Sequence, residues 1–140
     1  MAETANRLYA VSIRYPRKDG ERFDFRHWAE VHMPLGIATF RKVNGIIPRQ
    51  VMVQHETFGM DGTPESADAY ATVWLMFDTQ AGLEGFMKLH NDQVASAELS
   101  GDFGNYAPLP PQIVLGTVTV FDAMDEVLER GESLLGSGKQ

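Results

Sequence analysis

Residues 7–15, RLYAVSIRY, set Tyr9, Val11, Ile13 and Tyr15 against Leu8, Ala10, Ser12 and Arg14, the period-two alternation of a strand whose first set is buried. From residue 23 the period changes. In FDFRHWAEVHMPL, residues 23–35, Asp24 stands as a helix N-cap, and Phe23 before it and Trp28 four residues beyond it are spaced as a hydrophobic staple. At about 100° per residue, Phe25, Trp28, His32 and Leu35 share one apolar stripe, while His27 lies about 140° round from His32 and is expected in solvent. Pro34 lacks the N–H that would bond Glu30 and biases Met33 away from helical angles, so a kink or break is expected directly after His32.

A second strand is expected within residues 47–57, where Val51, Val53 and His55 alternate with Met52, Gln54 and Glu56, irregular or at an edge near Pro48. Residues 58–69 are dense in Gly, Pro, Asp and Ser and read as a long surface connection. A third strand, YATVWLMF at 70–77, is bulky and apolar on both parities. Asp78 or Thr79 then caps a second helix to about residue 98, with Leu83, Phe86, Met87, His90 and Val94 on its inward stripe. Turn-rich residues 101–112 lead to a last strand, IVLGTVTVF, at 113–121. The order β-α-β-β-α-β is the split βαβ of an α+β, ferredoxin-like fold, a four-stranded antiparallel sheet with both helices on one face. Residues 1–121 form one domain; residues 122–140 read as a short amphipathic helix carrying Met124, Val127 and Leu128 on one side, then a polar, disordered end.

Two helices cover one face of a sheet. The third and last strands are apolar on both, which leaves a patch that soluble monomers rarely tolerate, so a homodimer packed sheet against sheet is expected. Twelve Lys and Arg against nineteen Asp and Glu give a net charge of −7, which repels nucleic-acid phosphates and anionic membranes alike. The absence of cysteine excludes disulfides and thiolate chemistry, and with no long apolar segment or leader the simplest address is the cytoplasm.

His32, on an apolar helix face, is the first candidate for chemistry; the bland alternative is a hydrogen-bonded core histidine. His90 has the same alternative and no adjacent motif. The spacings of His27, His32, His55 and His90 match no metal-ligand signature, so no metal site is expected.

The chain resembles the EthD family of the dimeric α+β barrel superfamily over about residues 8–121. The resemblance rests on Phe23, Asp24, Trp28, His32, Pro34 and Leu35, supported by Asp102, Asn105 and Tyr106 in an Asp-x-x-Asn-Tyr pattern. It implies a small, apolar, aromatic or polyketide-like ligand held between the helices and the sheet. His32 is then the general acid/base, since an imidazole takes and returns protons near neutrality. Asp102 or Tyr106 would orient it, with a turn residue and a packing residue as their bland readings. Trp28, Leu35, Tyr70, Trp74 and His90 would bound the substrate, core packing being the default for the aromatic residues. The expected activity is that of a cofactor-independent oxidoreductase or a cyclase/isomerase. The rivals are a non-catalytic carrier serving a neighbouring oxygenase, and haem binding through His32 or His90.

Overall fold

The computed structural model describes residues 5–138. Strands β1 (Ala5–Pro16), β2 (Gln50–Gln54), β3 (Ala69–Phe77) and β4 (Gln112–Phe121) form one antiparallel sheet in the order β2-β3-β1-β4. The connection from β1 to β2 is helical: a short α1 (Phe25–His27), a π-helical turn Trp28–His32 and α2 (Met33–Asn44) follow one another without interruption. Between β3 and β4 lie α3 (Ala81–Asn91) and α4 (Gln93–Ser100). This is the ferredoxin-like β-α-β-β-α-β order expected from the periodicity, and Pro48 falls outside β2.

The central strands carry the core. Val11, Ala71 and Val73 are at most 1% exposed, and the alternate positions Val11, Ile13, Val73, Leu75 and Phe77 meet the helices. Register places Leu8 opposite Val118, Ser12 opposite Val114 and Trp74, and Met52 opposite Trp74, all on the other face of the sheet. That face is apolar as expected, with Val114 65% and Met52 42% exposed.

Three expectations about the helices are corrected. The helix does not break after His32. The Met33 N–H reaches the Trp28 carbonyl, an i→i+5 bond, and Pro34 then occupies the first turn of α2, where a missing N–H costs little. This wide turn moves the inward stripe on by one residue, so Met33, Gly36, Ile37 and Phe40 face the sheet and Leu35 is turned outward, 37% exposed.

The second helix is two helices. Asp92 adopts extended angles and its carboxylate accepts from the N–H groups of Val94 and Ala95 at 3.1 and 3.0 Å, starting α4 anew. The buried stripe of α3 is Gly82, Gly85 and Leu89, not Met87, His90 and Val94, all of which are exposed. The two glycines carry no hydrophobic signal, yet they are the contact face: a Cβ on Gly82 would collide with the Phe77 ring, and one on Gly85 would sit 3.0 Å from Phe40.

Finally, α5 (Met124–Gly138) extends through residues expected to be a polar, disordered end; residues 139 and 140 lie outside the described residues. The close approach of α3 to β3 predicts that Gly82→Ala lowers stability by about 1–3 kcal/mol through overpacking. Urea unfolding should show a lower midpoint at an unchanged m value.

Candidate functional site

Asp102 follows the C-terminus of α4 and opens the one-turn helix Phe103–Asn105. Its side chain is nearly buried, and three groups donate to it: His27 Nε2 at 2.9 Å and Asn105 Nδ2 at 2.8 Å to Oδ1, and His32 Nδ1 at 3.1 Å to Oδ2. One carboxylate thus bridges two imidazoles. The wide turn makes this possible, because i→i+5 closure stacks residues five apart, and His27 and His32 are five apart. His27, expected in solvent, is therefore part of the site, its side chain 26% exposed.

Tyr106 fills the space beside them. Its ring lies 6.0 Å from the His27 ring at an interplanar angle of 19° and 4.8 Å from the His32 ring at 48°. Its hydroxyl shares a 2.8 Å hydrogen bond with that of Tyr15 on β1, and its carbonyl accepts from the Asp24 N–H at 2.8 Å. Asp24 also caps α1, its Oδ1 accepting from the His27 N–H at 3.0 Å. The segment that carries Asp102 is thereby pinned to the start of the helix that carries both histidines.

Protonation states follow from this environment. Burial by itself raises Asp102, but the hydrogen bonds from Asn105, His27 and His32 outweigh it and hold the carboxyl below the usual range. Burial lowers His32 below its ordinary 6.5, against the opposing pull of Asp102. Near neutrality Asp102 is an anion that only accepts, so neutral His32 donates through Nδ1–H and leaves the Nε2 lone pair free. Tyr15 and Tyr106 are both raised, burial being the largest cause, and stay protonated.

Between α2, α3 and the sheet is a cavity of about 100 Å³ bounded by Ile13, Trp28, Met33, Phe103, His32 and other apolar side chains. Among the described residues its only titratable wall groups are His32 and Tyr15. Asp102 and Tyr106 stand behind the wall, in contact with His32 and Tyr15 respectively.

The other sequence candidates fall elsewhere. Trp28 lines the cavity, but Leu35 does not. Tyr70 clamps the loop after β1: its hydroxyl lies 2.7 Å from the Lys18 carbonyl and accepts from the Lys18 N–H at 3.1 Å, and its ring stacks on Phe23. Trp74 belongs to the opposite face of the sheet, paired with Ser12 and Met52. His90 is exposed on α3, so of the two histidines considered for haem only His32 borders the cavity. No group of three His, Cys, Asp or Glu among the described residues is arranged to hold a metal ion; the two imidazoles point at carboxylate oxygens rather than at a common centre. The missed residues are His27 and Tyr15. The available signal for His27 was Pro34, which forbids the ordinary bond to Glu30 and so favours a wider turn.

Because His32 and Asp102 are both lowered in the fold, acid protonates them more readily in the unfolded chain. The His32 contribution to stability is present above about pH 6.5 and lost as the pH falls through its lowered value; the Asp102 contribution is lost below 3.8. The urea midpoint should fall between pH 7 and 5, and His32→Gln should flatten that part of the profile. In Asp102→Asn, which removes the group that raises His32, NMR titration should find the imidazole lower still.

No protein-family model matches the chain, and no curated protein matches it. Solved structures do. An EthD-like protein from Ralstonia eutropha JMP134 superimposes with a TM-score of 0.59 at 23% identity, covering 78% of this chain and 89% of that one. An ethyl tert-butyl ether D (EthD) family protein from Bacillus halodurans C-125 does so with a TM-score of 0.50 at 17% identity, covering 78% and 96%. The chain has the α+β fold of these EthD-like proteins.

Proposed function

We propose that the chain is an EthD-like enzyme that transfers a proton on a small apolar or aromatic molecule, with His32 as general acid/base and a second copy packed against its sheet. The observation that carries this reading is the pairing of a buried, carboxylate-held imidazole with an otherwise apolar cavity. In such a wall one polar group decides how a ligand sits, and the apolar remainder holds its carbon skeleton. The cavity is on the scale of the ~150 Å³ hollow that accepts a benzene ring, which favours a single-ring substrate or part of a larger one.

Nε2 takes a proton from a weakly acidic C–H or phenolic O–H of the ligand. The imidazolium that results lies against Asp102, 3.1 Å from Nδ1, so charge that forms on His32 is neutralised as it appears. Returning the proton to a different atom completes an isomerisation or a cyclisation. The same deprotonation makes a phenol electron-rich enough for a cofactor-free reaction with dioxygen, the oxidoreductase form of this chemistry. Tyr106, protonated and wedged beside both imidazoles, holds the His32 ring in place.

The dimer rests on the outer sheet face, where Leu8, Met52, Trp74, Val114 and Val118 stand away from the helical layer. Burying them against their copies removes apolar area from water without asking anything of the site.

Mass spectrometry of the small molecules extracted from purified protein supplies the ligand. On that compound His32→Ala should lower turnover by about 10²–10⁴ with affinity kept within a few-fold. Full turnover in the variant removes His32 as the acid/base, and a change in affinity alone marks a carrier. For assembly, light scattering of the eluting protein should give twice the chain mass, and Met52→Asp with Val114→Asp should give one chain mass while the circular dichroism spectrum is kept. A monomeric parent protein refutes the pairing.

A further inference from the structure

Two apolar surfaces outside the core, the site and the sheet face have matching chemistry. The first is on α5. Met124, Val127, Leu128, Leu134 and Leu135 fall within a stripe about 120° wide, and all but Val127 are more than half exposed. Asp125 and Glu132 border that stripe on one side and Arg130 on the other, and the helix carries four carboxylates against one guanidinium. A stripe of this kind on a helix that buries almost nothing has no source of stability in its own chain.

The second is a groove on the outer side of α2. Pro34, Ala38 and Ile47 floor it together with Met33 and Ile37, and Arg41 and Lys42 stand on its rim. Ile47 is 54% exposed, and neither Arg41 nor Lys42 makes an ion pair among the described residues. One surface is an apolar stripe with acidic flanks, and the other is an apolar trough with a basic rim. Their chemistry is complementary.

Register says which copies can meet. β4 ends at Phe121, paired with Ala5, and β2 begins at Gln50, paired with Met76 beside the Tyr9–Phe77 pair. The root of α5 and the start of β2 are therefore on opposite edges toward the same end of the sheet, three strand spacings or about 14 Å apart across it and five residues or about 17 Å apart along it. Within one chain the stripe of α5 stays uncovered, as its exposure records. In a pair whose β4 edge lies along the partner's β2 edge, the end of β4 is beside the partner's groove.

We infer that α5 is an exchanged arm, which lays its apolar stripe into the α2 groove of a second copy of this chain, with Asp125 and Glu132 toward Arg41 and Lys42 of that copy. The consequence reaches the site. Met33 and Ile37 belong both to the groove and to the cavity wall, so the arm of one copy braces the helix that carries His32 in the other. This goes beyond sheet pairing, since it assigns a role to the segment after β4 and makes each cavity wall depend on both chains.

The absence of cysteine gives a clean test. Ala38→Cys in a chain with one affinity tag and Leu128→Cys or Leu135→Cys in a chain with another are mixed and mildly oxidised. A disulfide-linked heterodimer on a non-reducing gel is expected, exceeding the yield for Ala38→Cys with Asp61→Cys, a position on the surface loop. A dimer by light scattering with no excess cross-link overturns the arm and leaves sheet pairing intact; a monomer with no cross-link overturns both. Shortening the chain to end at Asp122 is the second reading. The dimer dissociation constant should rise at least tenfold, and an unchanged value overturns the arm.

Discussion

The Met33 N–H closes onto the carbonyl of Trp28 rather than that of Ala29, and this one-residue expansion sets where each later side chain of the helix points. Upstream, it brings His27 over His32, so that a single carboxylate can reach both. Downstream, it rotates Met33, Gly36, Ile37 and Phe40 onto the sheet and releases Leu35 to solvent. Pro34 is what makes the wide turn the favoured solution: an ordinary turn would ask it for an N–H that it does not have, and the expanded turn places it where none is needed. Secondary structure, cavity wall and the histidine–carboxylate geometry here share one cause.

Asp102 completes the arrangement from the other side of the fold. A carboxylate so nearly buried is costly unless its lone pairs are occupied, and His27, His32 and Asn105 occupy them. The hydrogen bonds outweigh desolvation, so the group stays ionised and holds neutral His32 in its Nδ1–H tautomer. For His32 the balance falls the other way: burial dominates and favours the neutral ring. A neutral base backed by a fixed anion is suited to proton transfer in an apolar pocket, because the anion stabilises only the charge that the reaction creates.

Strand periodicity was legible because the sheet is built from alternating large apolar residues, with Val11 and Val73 buried where the alternation puts them. His32 with Asp102 and the buried Tyr106 were likewise within reach of sequence reasoning, through one helix stripe and one turn-rich segment. The errors share a physical origin. Stripe reading assumes 3.6 residues per turn throughout and assigns the buried face to bulky side chains. The first assumption fails at residues 28–32, which lost His27 and misplaced Leu35. The second fails in α3, where Gly82 and Gly85 face inward because Phe77 and Phe40 already fill the space, so His90 was drawn to the wrong side. Tyr70 and Trp74 were read as aromatic walls by type alone; register and a loop carbonyl, which a single sequence does not display, assign them to other tasks.

Gly36 supports reading the cavity as more than a packing remainder. It lies in the wall, in the interior of α2, where glycine costs about 1 kcal/mol in helix propensity relative to alanine. A Cβ there would meet nothing nearer than the Leu99 side chain at 4.0 Å, so no neighbour demands its absence. An alanine would stiffen the helix and take up part of the empty space, both of which stabilise an unoccupied fold. The chain instead carries the less stable residue in the same cavity wall as His32. That combination is costly for a protein whose interior exists only to be filled, and advantageous for one whose interior must admit a ligand next to a base.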